Sequence, residues 1–167
     1  MLTVRRLTGD DVEAYRDIRL EALEIVPHAF ASTLAREQAF SRQDFMHRLE
    51  SGCSLGAFEG QALVGVVGLV VAKGEKERHK GMLVGMYVRQ SARGHGVGRM
   101  LIEGLVAAAA GVVEQVNLAV AHDNLSARRL YERCGFGAYG VERHALKSRD
   151  HYSDDVLMVR FLTQQES

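Results

Sequence analysis

Proline and cysteine are almost missing from this sequence. Its one proline, Pro27, in 167 residues leaves little room for a linker, and no serine, glutamine or proline blocks mark it as disordered. A chain of this length buries a real core without covalent staples, so one domain over residues 1–167 is expected. Cys53 and Cys134 lie far apart and lack the CxxC or Cys/His spacing of a redox pair or a zinc site. Both are expected as reduced thiols, with no metal bound. Long apolar runs are missing too. No stretch approaches ~20 uncharged apolar residues, and residues 1–10 carry Arg5 and Arg6 without the apolar core of a signal peptide. A cytoplasmic protein with no membrane partner is the expectation. Nor is there an excess of one charge. With 21 basic and 21 acidic side chains, no bulk field draws the chain to nucleic acid, and the longest charged stretch, residues 73–80, mixes signs as a solvated loop does.

What is present is a periodic pattern that changes from strand to helix several times. Residues 2–7 alternate as a first strand, with Thr8 or Asp10 as a cap for the next element. Val12, Tyr15, Ile18, Arg19, Ala22 and Leu23 then lay one stripe along a helix that Pro27 ends. Ser41 caps a second helix over 41–49, with Phe45, Met46 and Leu49 on one face, while 29–40 between them has weak periodicity. Residues 55–58 and 63–71 form a hairpin around Glu59-Gly60-Gln61, and 82–88 is another strand. A helix from the following glycine turn to about 113 leads into strand 116–121, whose apolar residues occupy both faces as in a strand buried between layers. A helix over 125–134, closed by Gly135, and strands 138–146 and 156–162 complete the chain. Residues 82–121 thus make a β-α-β unit within a mixed α/β sheet covered by helices.

The densest chemistry lies in Arg93-Gly94-His95-Gly96-Val97-Gly98, wedged between strand and helix. Such a junction presents unpaired backbone N–H groups at the positive end of a helix dipole. Glycines let the backbone approach phosphate oxygens and adopt angles other residues avoid, and Arg93 adds a permanent charge. A phosphate or pyrophosphate is therefore the expected ligand. A Walker loop would need Gly-Lys followed by Ser or Thr, whereas Gly98 is followed by Arg99 and Met100. A dinucleotide fold would need a third glycine where Arg99 stands, and more βα units than residues 124–167 can form.

At this point the sequence resembles the GNAT superfamily of N-acetyltransferases, whose signature Arg/Gln-x-x-Gly-x-Gly/Ala follows a strand. A second block agrees, because Asn124-Leu125-Ser126-Ala127-Arg128-Arg129-Leu130-Tyr131-Glu132-Arg133-Cys134-Gly135-Phe136 is similar to the family's Asn-x-x-Ala-x-x-Leu-Tyr-x-x-x-Gly-Phe helix. One departure is Gln90, where a proline is common. The resemblance implies a mixed central sheet of about seven strands with about four helices. It also implies acetyl-CoA between splayed strands four and five, with pantetheine on the backbone of Met86, Tyr87 and Val88. Pyrophosphate would rest on the turn of Arg93, Gly94, His95, Gly96, Val97, Gly98 and Arg99. Asn124 would either bond the pantetheine arm or cap its helix.

Acetyl transfer to an amine requires a neutral amine, a donor for the developing oxyanion and a proton for the departing thiolate. Tyr131 shares the apolar face with Ala127 and Cys134, so its ring turns inward and its hydroxyl needs a partner. The resemblance makes it the general acid, with a backbone N–H near Met86 or Tyr87 as oxyanion donor. Strand 82–88 has no acidic or histidine side chain to serve as base, so a water chain is expected; Glu37, His122, His144 and His151 are candidates to end it, none singled out. Pro27-His28-Ala29-Phe30 is similar to a Pro-x-Ala-Phe segment of bacterial members, where Phe30 and Glu37 would line the acceptor pocket and Glu37 would attract a cationic amine. The expected activity is transfer of acetyl from acetyl-CoA to a primary amine of a small molecule. The alternatives are a protein N-terminal or lysine acetyltransferase and a non-catalytic CoA-binding sensor. The chain is expected as a monomer or homodimer.

Overall fold

Alternation and capping account for most of the elements. In the computed structural model, which describes residues 1–162, strand β1 is Leu2–Arg6. A short 3₁₀ turn follows, where the Asp11 carboxylate accepts from the Thr8 N–H at 2.8 Å. Helix α1 (Val12–Ile25) buries Val12, Tyr15, Ile18, Ala22 and Leu23, as its stripe predicts. Pro27 then opens a second 3₁₀ turn, at a position where its missing N–H costs nothing. The weakly patterned stretch contains an element that periodicity does not reveal: α2 (Leu34–Gln38), capped by the Thr33 hydroxyl on the Arg36 N–H. Five residues are too few to show a 3.6-residue period. Helix α3 (Arg42–Ser51) starts from Ser41 with a reciprocal Ser41/Asp44 capping box. Strands β2 (Cys53–Glu59), β3 (Ala62–Val71) and β4 (Lys80–Val88) follow. Then come α4 (Val97–Ala109), β5 (Gln115–Ala121), α5 (Leu125–Arg133), β6 (Gly137–Ser148) and β7 (His151–Phe161).

Among the described residues seven strands hydrogen-bond in the order β1-β2-β3-β4-β5-β7-β6. The sheet is mixed: β4 and β5 run parallel, as a β-α-β unit requires, and β1-β2, β2-β3, β5-β7 and β7-β6 pair antiparallel. Among the described residues five α-helices accompany it, one more than expected, because α2 is additional. Among the described residues no helix is long and apolar enough to cross a membrane.

The chain forms two compact units. The first comprises residues 1–69 and 84–105. Its core joins Leu7, Tyr15, Ile18, Phe45, Leu49, Phe58, Leu63 and Tyr87, among others, with Tyr15 and Phe40 both edge-on to Phe45. The second comprises residues 70–83 and the described residues from 106 onward. Here β5 alternates, with Val116, Leu118 and Val120 buried and Ala119 exposed. The expectation of a strand buried on both faces is corrected: small Ala119 and polar Asn117 leave its second face partly open. Parallel pairing of β4 with β5 covers Lys80↔Gln115, Gly81↔Val116 and Met82↔Asn117, while β4 itself continues to Val88. The β6–β7 ladder is broken twice, between Ala138 and Gly140 and between Glu142 and Leu146. At the second break His144 takes φ +53° and its ring stacks on Tyr152 at 4.2 Å.

Candidate functional site

In the first unit, β4 delivers Met86, Tyr87 and Val88 to the phosphate turn. Tyr87 is buried, and its hydroxyl donates to Glu21 Oε2 at 2.8 Å. The other Glu21 oxygen accepts from Arg89 Nη1 at 2.8 Å, and Arg89 Nε donates to the Leu63 carbonyl at 2.9 Å. Burial, and then the Glu21 contact, push the Tyr87 phenol upward, so it stays a donor. Gln90 begins a 3₁₀ turn to Ala92. Proline is tolerated at that first position but not required, which is why its absence leaves the turn intact. Arg93 then folds back, with Nε on the Val88 carbonyl at 3.0 Å and its guanidinium 5.8 Å from the Tyr87 ring centre.

The turn itself has the conformation an anion cradle needs. Gly94 and Gly96 have φ of +82° and +78°, and a Cβ on either would meet nothing within 4 Å. Their requirement is therefore conformational, and the turn faces open space. Gly98 already lies within α4 and takes no positive φ. The Met100 N–H is paired to the Gly96 carbonyl at 3.1 Å, which leaves Val97 and Gly98 to open the first helical turn with N–H groups that no carbonyl within the helix can accept. Arg99 pairs with Glu103 at 2.8 Å, and the His95 ring nitrogen Nδ1 lies 3.3 Å from the Ala92 carbonyl. Backbone donors, a helix dipole and two arginines in one exposed turn fit a pyrophosphate.

The same unit holds Phe30 and Glu37. Glu37 is fully buried on α2, and both its oxygens are taken by Arg19, through Nε at 2.9 Å and Nη2 at 3.0 Å. Arg48 adds a third bond at 2.9 Å. Burial alone would raise the Glu37 carboxyl, but the bonds from Arg19, Ser32 and Arg48 outweigh it and bring it down to about 2. Phe30 is half-buried, with the Arg19 guanidinium stacked over its ring at 4.8 Å.

In the second unit, Asn124 caps α5, its Oδ1 accepting from the Ala127 N–H at 3.2 Å. The helix ends in a Schellman closure: the Phe136 N–H bonds the Tyr131 carbonyl and the Gly135 N–H bonds the Glu132 carbonyl, with Gly135 at φ +90°. That closure explains the Tyr-x-x-x-Gly-Phe spacing physically, because it sets the Phe136 ring edge-on to Tyr131 at 5.9 Å. Tyr131 is buried, and burial together with nearby Cys134 raises its pKa well above the usual tyrosine range. Its hydroxyl makes no hydrogen bond among the described residues, contrary to the expected internal partner; because no fully buried side-chain oxygen is left unpaired, that oxygen reaches the surface. His122, His144 and His151 are all exposed. No described group of three or more His, Cys, Asp or Glu is arranged to hold a metal.

Residues 13–136 match the acetyltransferase (GNAT) family. The chain belongs to that family. Acetyl-CoA is accordingly its cosubstrate. Solved structures agree on the fold. A GNAT-family acetyltransferase from Streptococcus pneumoniae is 20% identical, with a TM-score of 0.85 over 98% of this chain and 100% of that one. An acetyltransferase from Salmonella typhimurium, determined with acetyl-CoA, is 17% identical, with a TM-score of 0.87 over 100% and 97%. Ribosomal-protein-alanine N-acetyltransferase from Brucella melitensis is 22% identical, with a TM-score of 0.80 over 96% and 99%. No curated protein sequence matches the chain.

One feature of this GNAT acetyltransferase escapes a reading of its sequence. Arg89 and Glu21 lie 68 positions apart and join only through the fold. Arg19 did leave a signal, since an arginine inside an otherwise apolar helical stripe must find a buried partner. That partner is Glu37, so the carboxylate is no open attractor for a cation. Its lowered pKa also has a stability consequence. Glu37 stabilises the fold fully above the unfolded carboxyl value near ~4.3 and loses that contribution as pH falls towards 2. A wild-type loss of about 3 kcal/mol across that window is expected from this group. Urea unfolding at a series of pH values should show a shallower acid slope in Glu37→Gln, and identical slopes would refute the assignment.

Proposed function

We propose that this chain works as one N-acetyltransferase domain that moves acetyl from acetyl-CoA to a primary amine of a small molecule by direct attack. The observation that carries the reading is the pair of left-handed glycines ahead of α4, which turns the backbone of 93–99 into a preformed anion cradle. In this reading Arg93, Gly94, His95, Gly96, Val97, Gly98 and Arg99 hold the pyrophosphate. Met86, Tyr87 and Val88, beyond the stretch of β4 that pairs with β5, offer backbone groups to the pantetheine arm. The Val88 carbonyl already accepts from Arg93, so other groups of that strand must bind the arm. In the second unit the oxygen of Asn124 caps α5, which leaves its amide N–H₂ as a donor for the cosubstrate.

The chemistry then needs few side chains. A backbone N–H near Met86 or Tyr87 donates to the carbonyl oxygen as charge develops on it. Tyr131 holds a proton on a hydroxyl without an internal partner and offers it to the departing sulfur. No enzyme nucleophile is required, and the amine proton leaves through water. Phe30 shapes the acceptor side, and Glu37 acts through Arg19 rather than by touching the amine.

An acetyl-CoA consumption screen over small amines, amino acids, antibiotics and N-terminal peptides tests this reading. Turnover on a small amine, above that on any peptide, is the expected result. Turnover on peptides alone would make the chain a protein acetyltransferase, and tight CoA binding with no turnover would make it a sensor.

A further inference from the structure

We infer that the outer edge of the Arg19 guanidinium is the docking point for a carboxylate, so that the acceptor is an amino acid or another amine bearing a nearby carboxylate. This deepens the transfer reading above and rests on it for the identity of the site. The starting point is an arginine held more firmly than solvent exposure would allow. Its side chain is 14% exposed, its Nε and Nη2 edge is locked to both oxygens of Glu37, and one face lies on Phe30 at 4.8 Å. Those contacts fix the plane of the guanidinium before any ligand arrives, which removes the entropy cost of ordering a long side chain on binding.

The remaining edge has no such partner. Nη1 makes no hydrogen bond among the described residues and, since no fully buried side-chain nitrogen is unpaired, it is not sealed from solvent. Its position is informative: a Cβ on Gly85 would sit 3.2 Å from Nη1. Gly85 immediately precedes Met86, so the free edge lies alongside the part of β4 assigned to the acyl donor.

Charge decides what can bind there. Glu37 is shared by two guanidinium groups, Arg19 and Arg48, so that cluster carries a net positive charge. Glu21, which accepts a bond from β4, is taken by the Tyr87 hydroxyl and Arg89. A cationic group would therefore meet arginines whose acids are already occupied, whereas a carboxylate would meet a preorganised donor with two free N–H bonds. The absence of a carboxylate from the acceptor would leave that donor edge desolvated and unpaired when the pocket fills.

The test separates this inference from the transfer reading. Binding of N-acetyl forms of the standard amino acids, compared with their carboxamides, is measured by calorimetry in the presence of CoA. Turnover is measured on amino acids against the corresponding decarboxylated amines. At least one acid is expected to bind about 10-fold or more tightly than its amide, the scale of a hydrogen bond to a charged group. Arg19→Lys is expected to reduce that preference below about 3-fold while CoA affinity stays unchanged, and the wild-type comparison stands even if a variant folds poorly. Equal or absent binding of acids and amides overturns the inference. Turnover that ignores the carboxylate removes the carboxylate anchor and keeps the transfer reading; a carboxylate preference in binding with no turnover on any amine does the reverse.

Discussion

Replacing Gly96 by Asp should abolish acetyl-CoA binding while leaving the protein folded. Space is not the obstacle, since a Cβ at this position meets nothing within 4 Å. The left-handed φ of +78° costs a side chain roughly 1–2 kcal/mol, and Asp is among the residues that tolerate it best. Its carboxylate would also precede α4 directly, where it complements the helix dipole. The variant therefore occupies the cradle with its own anion. A like charge 4 Å away in a partly screened setting is worth about 4 kcal/mol, or nearly three powers of ten in affinity. Calorimetric titration with CoA checks this, with thermal unfolding as the control for folding. Gly96→Ala separates the causes, since it carries the backbone strain without the charge and should retain much of the affinity. Unchanged CoA binding in Gly96→Asp would remove the pyrophosphate from this turn.

Tyr131→Phe should lower kcat by about 10²-fold or more, within the range attributed to general acids, with little change in the KM for acetyl-CoA. The geometry makes this an unusually clean substitution. The ring keeps its edge-on contact with Phe136, and the lost hydroxyl has no hydrogen bond among the described residues, so stability should be close to wild type. Burial and then Cys134 raise the phenol above its ordinary value, so the Tyr131 hydroxyl keeps its proton through the neutral range. A raised value has a second effect. A CoA thiolate, with an ordinary value near ~8.5, binds a proton less tightly than this phenol does. In the proposed mechanism the hydroxyl therefore shares its proton with the sulfur only as the thioester bond breaks, and the proton balance is completed from solvent. The pH profile of kcat should accordingly show no decline assignable to Tyr131 below about pH 10. Full activity in Tyr131→Phe would dismiss it as the acid.

How much of this was legible depends on the range over which each signal acts. The phosphate turn and the end of α5 are local events in which a glycine reports a backbone angle directly, so Gly94, Gly96 and Gly135 announce their roles in the sequence. Strand and helix order was legible for the same reason, through periodicity along one segment. Helix α2 was not, since its five residues cannot display a period. The acceptor side was hidden more deeply. Phe30 and Glu37 could be proposed from a segment's likeness, but that Glu37 is neutralised by Arg19 and Arg48 depends on three separate helices meeting. Arg19 itself was visible as an anomaly in the stripe of α1, and what it anchors became apparent only once Glu37, Phe30 and Gly85 stood around it.

The two breaks in the β6–β7 ladder have a consequence for self-association. Strand β6 ends the sheet, and exposed Tyr139 and Val141 on a long terminal strand would ordinarily invite another chain to add on. Its pairing with β7 is instead divided into runs of two, three and three residue pairs, beginning at Gly137, Gly140 and Leu146. The shifts between them, with His144 at a positive φ, break the even spacing of donors and acceptors along the outer rim. A strand approaching from solution finds no continuous template, so the same irregularities that bend this hairpin also guard it against open-ended fibre growth.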